Sequence, residues 1–325
     1  MTGRLRTAAL TMALVAPAAG LLGCASRSDE PRRTSLAAIA TPIAKSAGSP
    51  SDGTARCADP TASLRPPRAL PRPGAMPSGS FMQRVQRRGY LIAGVDQNTL
   101  LFGYLRPSTR DIEGLEVDFL REVARAITGD PTKIRLKALT TAQRLPAVQS
   151  GAVDIVADAV TITCWRRQQV AFSTVYYDAS QRLLVPKGSK VHGLSDLHGR
   201  RVCATKSSTT IKRIATDPAK PIPYPVAQRT DCLVALQQGN VAAISSDDTI
   251  LLGFRAQDAN TKIVGASLAD EPYGMAIARS HPDFVRFVNG VLDRMRRDGK
   301  WTSIHRHWIG RLAPTPAPPR PRYSD

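Results

Sequence analysis

Aromatic residues are scarce in this chain: Phe, Trp and Tyr together make up 5% of its 325 residues. Proteins that hold single-stranded nucleic acid use aromatic platforms on which bases stack, so this scarcity argues against that class. Acidic residues are also few, 26 against 45 Lys and Arg, which leaves a formal charge of +19. The basic residues are spread along the whole chain rather than gathered in one run. Such a distribution suits attraction to an anionic membrane surface better than a nucleic-acid site, and no nucleic-acid partner is expected. No apolar run reaches the ~20 residues that a membrane-spanning helix needs. No Cys-x-x-Cys pair occurs, and His305-x-His307 on a predicted terminal helix reads as a solvated face, so neither metal nor cofactor is expected. All five histidines lie outside the site motifs described below, and no Ser/His/Asp or Cys/His set converges on them. Catalysis is therefore not expected.

The N-terminus carries an export signal. Arg4 and Arg6 precede an apolar run from about Ala8 to Leu22, closed by Leu21-Leu22-Gly23-Cys24. A basic start, a short apolar stretch and small residues at the cut site describe a secretory signal over residues 1–23. The final tetrapeptide resembles a bacterial lipobox, which implies that Cys24 becomes the first mature residue and carries a lipid. Residues 24–79 are dense in Pro, Ser, Ala, Arg and Gly and show no apolar periodicity. They cannot bury enough apolar surface to offset chain entropy, and read as an unfolded tether. Residues 313–325 form a second Pro-rich stretch, read as an extended tail. About 230 residues remain for a body with a sizeable core.

Setting Cys24 aside leaves Cys57, Cys164, Cys203 and Cys232, an even number in an oxidising compartment. Three pairings are possible. Cys203 falls in a predicted strand and Cys232 at the start of a predicted helix of the same lobe, which favours Cys203–Cys232. Cys57 would then staple the end of the tether to Cys164.

Along the body, strand-like and helical apolar patterns alternate. Residues 90–95 read as a strand, and Leu115, Phe119, Leu120, Val123 and Ile127 then recur at helical spacing. Ile134, Leu136 and Ala138 alternate as a half-buried strand. A strand over Arg201 to Thr205 and a helix over Thr209 to Ala215 repeat the pattern. Strands alternating with helices predict an α/β fold with largely parallel sheets. An internal echo is also present: residues 145–162 and 233–250 both read as helix, Gly, buried strand and polar turn. Ligands of open α/β sheets gather at the carboxyl ends of strands, so the turns Asp158–Thr161 and Ser246–Asp247 should face one another across a cleft.

These motifs carry a resemblance. Residues 154–166, with Thr161 and Arg166, then Phe172-Ser173 and Tyr176-Tyr177, resemble the signature of family 3 extracellular solute-binding proteins. Gly94-Val95-Asp96, residues 114–119 and Asp298-Gly-Lys-Trp301 extend the resemblance from roughly Arg84 to Trp308. It is greatest to glutamine-binding lipoproteins of that family, which share the Pro-Thr-Ala-Ser-Leu tether and Pro-rich tail. The resemblance implies a two-lobed clamshell of the type II periplasmic-binding-protein kind, joined by two hinge crossovers. Lobe 1 is expected at 80–182 plus 274–312 and lobe 2 at 188–269, with crossovers near Gln181–Pro186 and Asp270–Gly274. It implies a monomeric, membrane-anchored receptor for a polar amino acid, and a membrane permease as its partner.

The resemblance also assigns a ligand set. Arg166 takes the α-carboxylate, because a planar guanidinium gives two parallel charge-assisted hydrogen bonds. Thr161 adds a backbone and hydroxyl contact, and the Ala159 carbonyl faces the ammonium. From lobe 2, Asp247 pairs with the α-ammonium, while Asp248 is the alternative helix cap. Ser208 and Thr209 open a helix whose backbone amides suit a carboxylate, with Ser207 standing where a Gly is usual. Asp96 and Asp158 approach the ligand side chain, and Phe102 and Tyr104 either wall the pocket or pack in the core. Two carboxylates beside the side chain disfavour glutamate and favour an amide, glutamine or asparagine, with a basic amino acid second. Cys164-Trp165 replaces the usual acidic pair, and nothing in the sequence accounts for Trp165. A sensor passing ligand state to a transmembrane signalling partner would use the same lobe closure. An exported dehydratase-like enzyme is the more remote alternative.

Overall fold

The computed structural model describes residues 56–325. The signal segment, Cys24 and the tether as far as residue 55 lie outside the described residues. Among the described residues no helix is long and apolar enough to cross a membrane.

Lobe 1 is built on β1 (Leu91–Val95), β5 (Ile134–Ala138), β6 (Ile155–Val156), β7 (Ala171–Phe172) and β13 (Ala276–Ile277). Their order is β5-β1-β6-β13-β7. A small antiparallel meander of β2 (Asn98–Thr99), β3 (Gly103–Leu105) and β4 (Ile112–Glu113) stands on top. Helices α1 (Phe81–Arg88), α2 (Leu115–Thr128), α3 (Arg144–Gln149), α4 (Cys164–Arg167), α8 (Pro282–Arg297) and α9 (Lys300–Trp308) belong to this lobe. Lobe 2 carries β8 (Tyr177–Pro186), β9 (Arg201–Thr205), β10 (Ile222–Val226), β11 (Ala243–Asp247) and β12 (Thr261–Tyr273), in the order β10-β9-β11-β8-β12. Helices α5 (Thr209–Thr216), α6 (Arg229–Gln237) and α7 (Asp248–Gln257) pack on it.

The two sheets are built alike. In each, a central strand has a parallel neighbour on either side, β5 and β6 around β1, β10 and β11 around β9. Beyond β6 and β11 the next pairings turn antiparallel, so the sheets are mixed rather than largely parallel. The chain returns to each sheet from the other lobe, and a returning strand need not follow the right-handed crossover that enforces parallel pairing. The internal echo falls on α3–β6 and α6–β11, which hold the same place in their sheets.

Helix α2 shows how the sequence sets these elements. Leu115, Phe119, Leu120, Val123 and Ile127 are all fully buried, as their spacing predicts. Gly114 precedes the helix at φ 144°, and a Cβ there would lie 2.1 Å from the Phe102 carbonyl oxygen, so only glycine fits.

The lobes are joined by the long pair β8 and β12, in register from Tyr177 opposite Tyr273. Gln181 already pairs with Asp247 in the second sheet, so the first crossover lies at Tyr177–Ser180, ahead of the expected position. Residues 56–79 also depart from the expectation of an unfolded tether. Ala62, Ser63 and Met76 are buried, and Ser63 forms a bridge with Tyr323 of the tail. The two weakly apolar ends thus cover each other and α8, where Asn289 donates to Ser63 Oγ and the Leu64 carbonyl. His305 is likewise buried rather than solvated, stacked between Trp301 and Tyr177, and burial lowers its pKa. Both expected disulfides are formed, Cys57–Cys164 and Cys203–Cys232.

Candidate functional site

The segments that follow the carboxyl ends of β5, β6, β9 and β11 converge on one polar pocket between the lobes. It is lined by Arg144, Ala159, Thr161, Ser208, Thr209, Arg229 and Asp247, with Thr141, Thr205, Thr210, Ser246 and Ile250. Five of the expected ligand residues, Ala159, Thr161, Ser208, Thr209 and Asp247, are thereby brought together.

Backbone geometry shapes both walls. Ala159 has φ 46°, held by its N–H, which donates to Glu116 Oε1 at 2.7 Å. The Ala159 carbonyl, expected to face an ammonium, accepts from Arg144 Nη1 at 2.9 Å. Across the cleft, Ser207 takes φ 62°, so a serine makes the left-handed turn that glycine usually makes, at a cost of about 1–2 kcal/mol. Ser208 then caps α5, its Oγ accepting from the Ile211 N–H at 3.0 Å. Its hydroxyl is committed to that cap, which leaves the first amides of α5 for an anion.

Asp247 and Asp248 divide their tasks. Asp247 stands in the pocket wall, accepting from the Tyr273 hydroxyl at 2.5 Å, and burial raises its pKa. Asp248 turns to the hinge, where the Ser180 hydroxyl donates to it at 2.9 Å.

Asp96 and Asp158 are not among the pocket-lining residues. Asp96 shapes its own turn, accepting from the N–H groups of Gln97 at 2.7 Å and Asn98 at 2.9 Å. Its other oxygen pairs with Arg229 of lobe 2. Arg229 Nη1 also lies 2.7 Å from Asp158 Oδ1 and donates to the Thr99 hydroxyl at 2.9 Å. Burial raises the pKa of Asp158, and Arg229 and Arg144 oppose that rise. The pair of bare carboxylates expected beside the ligand side chain is therefore an ion-paired interlobe cluster, its two charges partly offset by one guanidinium.

Arg166 is buried in α4 beside this wall. Thr163 caps its N–H and its Nη1 donates to the Thr161 carbonyl at 2.8 Å. Trp165, unexplained by sequence, stacks its ring under Lys212 of α5 at 4.7 Å, an interlobe cation–π contact. Phe102 packs in the core against Tyr177 and Tyr273.

Four charged residues of the site escaped the sequence reading: Arg144, Arg229, Glu116 and Glu271. Glu116 accepts from Tyr176 as well as Ala159, and burial pushes its pKa up to about 7. Arg144 is buried, donating to the carbonyls of Asp158 and Ala159, and among the described residues no carboxylate lies within ion-pair distance of it. Both arginines open a helix, where a cation opposes the helix dipole. That misfit was the available signal.

This geometry has known counterparts. The model of the family described as bacterial extracellular solute-binding proteins, family 3, matches residues 91–311. The chain belongs to that family. It is 34% identical to the ABC transporter glutamine-binding protein of Bacillus subtilis, over 67% of this chain and 81% of that protein. It is 31% identical to the glutamate-binding protein of Corynebacterium glutamicum, over 62% of this chain and 72% of that one. Among solved structures, an ancestral arginine-binding protein bound to glutamine matches with a TM-score of 0.64 and 28% identity, over 69% of this chain and 99% of its own. This family 3 member thus has the two-lobed clamshell of type II periplasmic binding proteins, and its relatives are solute-binding proteins rather than enzymes.

Proposed function

We propose that this family 3 protein is a lipid-anchored, extracytoplasmic receptor that binds one small polar amino acid between its lobes and delivers it to an ATP-driven importer. The observation that carries this reading is the pocket itself. One wall offers hydroxyls and helix amides suited to a carboxylate, from Thr161, Ser208 and Thr209, with Arg166 beside it. The other charge of an amino acid finds its partner in Asp247, a carboxylate of the lining. Arg166 and Thr161 would orient the α-carboxylate and Asp247 the α-ammonium, as the lobes close over both.

The side chain meets a different field from the one the sequence suggested. Arg229 pairs with Asp96 and Asp158, and Arg144, a second guanidinium in the lining, completes the offset of the two carboxylates. Guanidinium groups suit a side chain that offers oxygen acceptors and disfavour a basic one. The supported class is glutamine, asparagine, glutamate and aspartate, with acidic members no longer set aside. The glutamine and glutamate named for the two relatives fall within it.

A thermal-shift screen against the common amino acids tests this, because a ligand of the native state raises stability by mass action. Amide or acidic amino acids should raise the melting temperature, and lysine and arginine should not. No shift with any amino acid would sink the reading. For the anchor, Cys24→Ser should move the protein from membrane to soluble fractions. Retention of that variant after a salt wash would place the anchor elsewhere.

A further inference from the structure

Glu271 sits where both lobes and the hinge meet. It lies on β12 and is 2% exposed. Its Oε2 accepts from the Thr161 hydroxyl of lobe 1 and, at 2.8 Å, from the Thr209 hydroxyl of lobe 2. These are two of the groups assigned above to the ligand α-carboxylate. The chain thus already holds a carboxylate of its own on them.

Charged groups of both lobes surround it, with Arg144 and Arg229 in the pocket lining beside Thr161 and Thr209. From α4, Arg166 favours its ionised form, and from the end of β11, Asp247 opposes it. Tyr273, two residues on, directs its hydroxyl to Asp247. The turn at Thr161 and the start of α5 each present a hydroxyl to it. An incoming α-carboxylate would therefore bring a third negative charge beside Glu271 and Asp247, where Arg166 favours the ionised Glu271 while Arg144 and Arg229 of the lining act on Asp247. Desolvated like charges repel strongly at this range.

We propose that Glu271 is a tethered stand-in for the ligand carboxylate, and that an amino acid binds when Glu271 takes a proton from solvent and cedes Thr161 and Thr209 to the ligand. The proton goes onto the Glu271 carboxylate and no bond between heavy atoms changes. Binding is then linked to proton uptake. Burial already brings Glu271 to a pKa of about 7 without ligand. A neighbouring carboxylate raises it further, so uptake is largest on the alkaline side of that value.

This inference rests on the amino-acid reading of the pocket, and calorimetry separates the two. The mature chain is titrated with glutamine and with glutamate between pH 6 and 8.5, in buffers of different ionisation enthalpy. Affinity should fall towards tenfold per pH unit above about pH 7, with uptake approaching one proton per ligand at pH 8.5. Glu271→Gln, a neutral isostere, should bind at pH 8 about as tightly as the unaltered protein binds near pH 6, with no slope. Tight binding with no proton uptake overturns the proposal and leaves the receptor reading intact. A slope that survives in Glu271→Gln also overturns it, and assigns the proton to Asp247. Uptake by the unaltered protein is informative by itself, should the variant fold poorly. No binding by either amino acid at any pH overturns both readings.

Discussion

Arg144 and Arg229 each occupy the first position of a helix, where unpaired N–H groups make a cation unfavourable. The compensation lies across the chain. Arg229 reaches from lobe 2 to Asp96 and Asp158 of lobe 1, while Arg144 ties down the carbonyls that precede Thr161. Removing one partner from a buried ion pair leaves uncompensated charge, which typically costs about 3–5 kcal/mol. Arg229→Met should lose stability of that order in urea unfolding, because Asp96 and Asp158 both stay buried. A loss below about 1 kcal/mol would show that the cluster relaxes into solvent. Arg166→Ala bears on affinity instead. Truncating one partner of a desolvated charge pair costs about 2–5 kcal/mol, so every amino-acid ligand should weaken by roughly 30-fold or more. An unchanged dissociation constant in calorimetry would remove Arg166 from the ligand set. Arg166, Thr161 and Asp247 could be named from their motifs, whereas the Arg229 cluster could not, because its members are far apart in sequence.

At the scale of elements, the two disulfides hold the pieces that carry the site. Cys203–Cys232 ties β9 to α6, the helix that starts with Arg229. Cys57–Cys164 fastens the N-terminal segment to α4, which carries Arg166, and Arg167 of the same helix donates to the Pro60 carbonyl at 3.0 Å. A disulfide of this kind contributes about 2–4 kcal/mol. Replacing Cys57 and Cys164 together by Ser should lower the melting temperature and also weaken ligand binding, since α4 has only one turn of its own. Lower stability with unchanged affinity would mean that Thr163 and the packed core hold α4 unaided. The helices themselves were legible from periodicity, and the echoed unit was legible because equal roles in two sheets demand equal patterns. The order of the segment before residue 80 was not. Its burial depends on the tail, as in the bridge between Ser63 and Tyr323, at a separation no local pattern spans.

For the whole molecule, Glu116 and Glu271 share one consequence. Burial puts the pKa of each at about 7, against 4.5 for the unperturbed side chain. Between those values the folded protein holds protons that the unfolded chain has released, so stability falls as pH rises through that window. Below it both states are protonated, and above it both are ionised. The melting temperature without ligand should therefore decline from about pH 5 to about pH 7.5 and then level off. The double variant Glu116→Gln and Glu271→Gln should flatten that decline. A melting temperature that rises over the same interval would show that neither carboxyl is held as described.

The sequence by itself determined the α/β class, the two echoed lobes, both cysteine pairings and five residues of the pocket lining. The class and the echo are written in local terms, as an apolar period, a glycine at a helix end, or a polar turn after a buried strand, while the pocket residues came from motifs that resemble the family's. What only the tertiary structure decided is the sign of the field inside the cleft. Asp96 and Asp158 read alone as two bare negative charges, and they become an ion-paired cluster once Arg229 arrives from the other lobe. Glu271, which no sequence motif singled out, is a buried carboxylate on the ligand's own donors. Electrostatics in a desolvated cleft is a sum over everything within a few ångströms, and the chain assembles that sum only when its lobes meet.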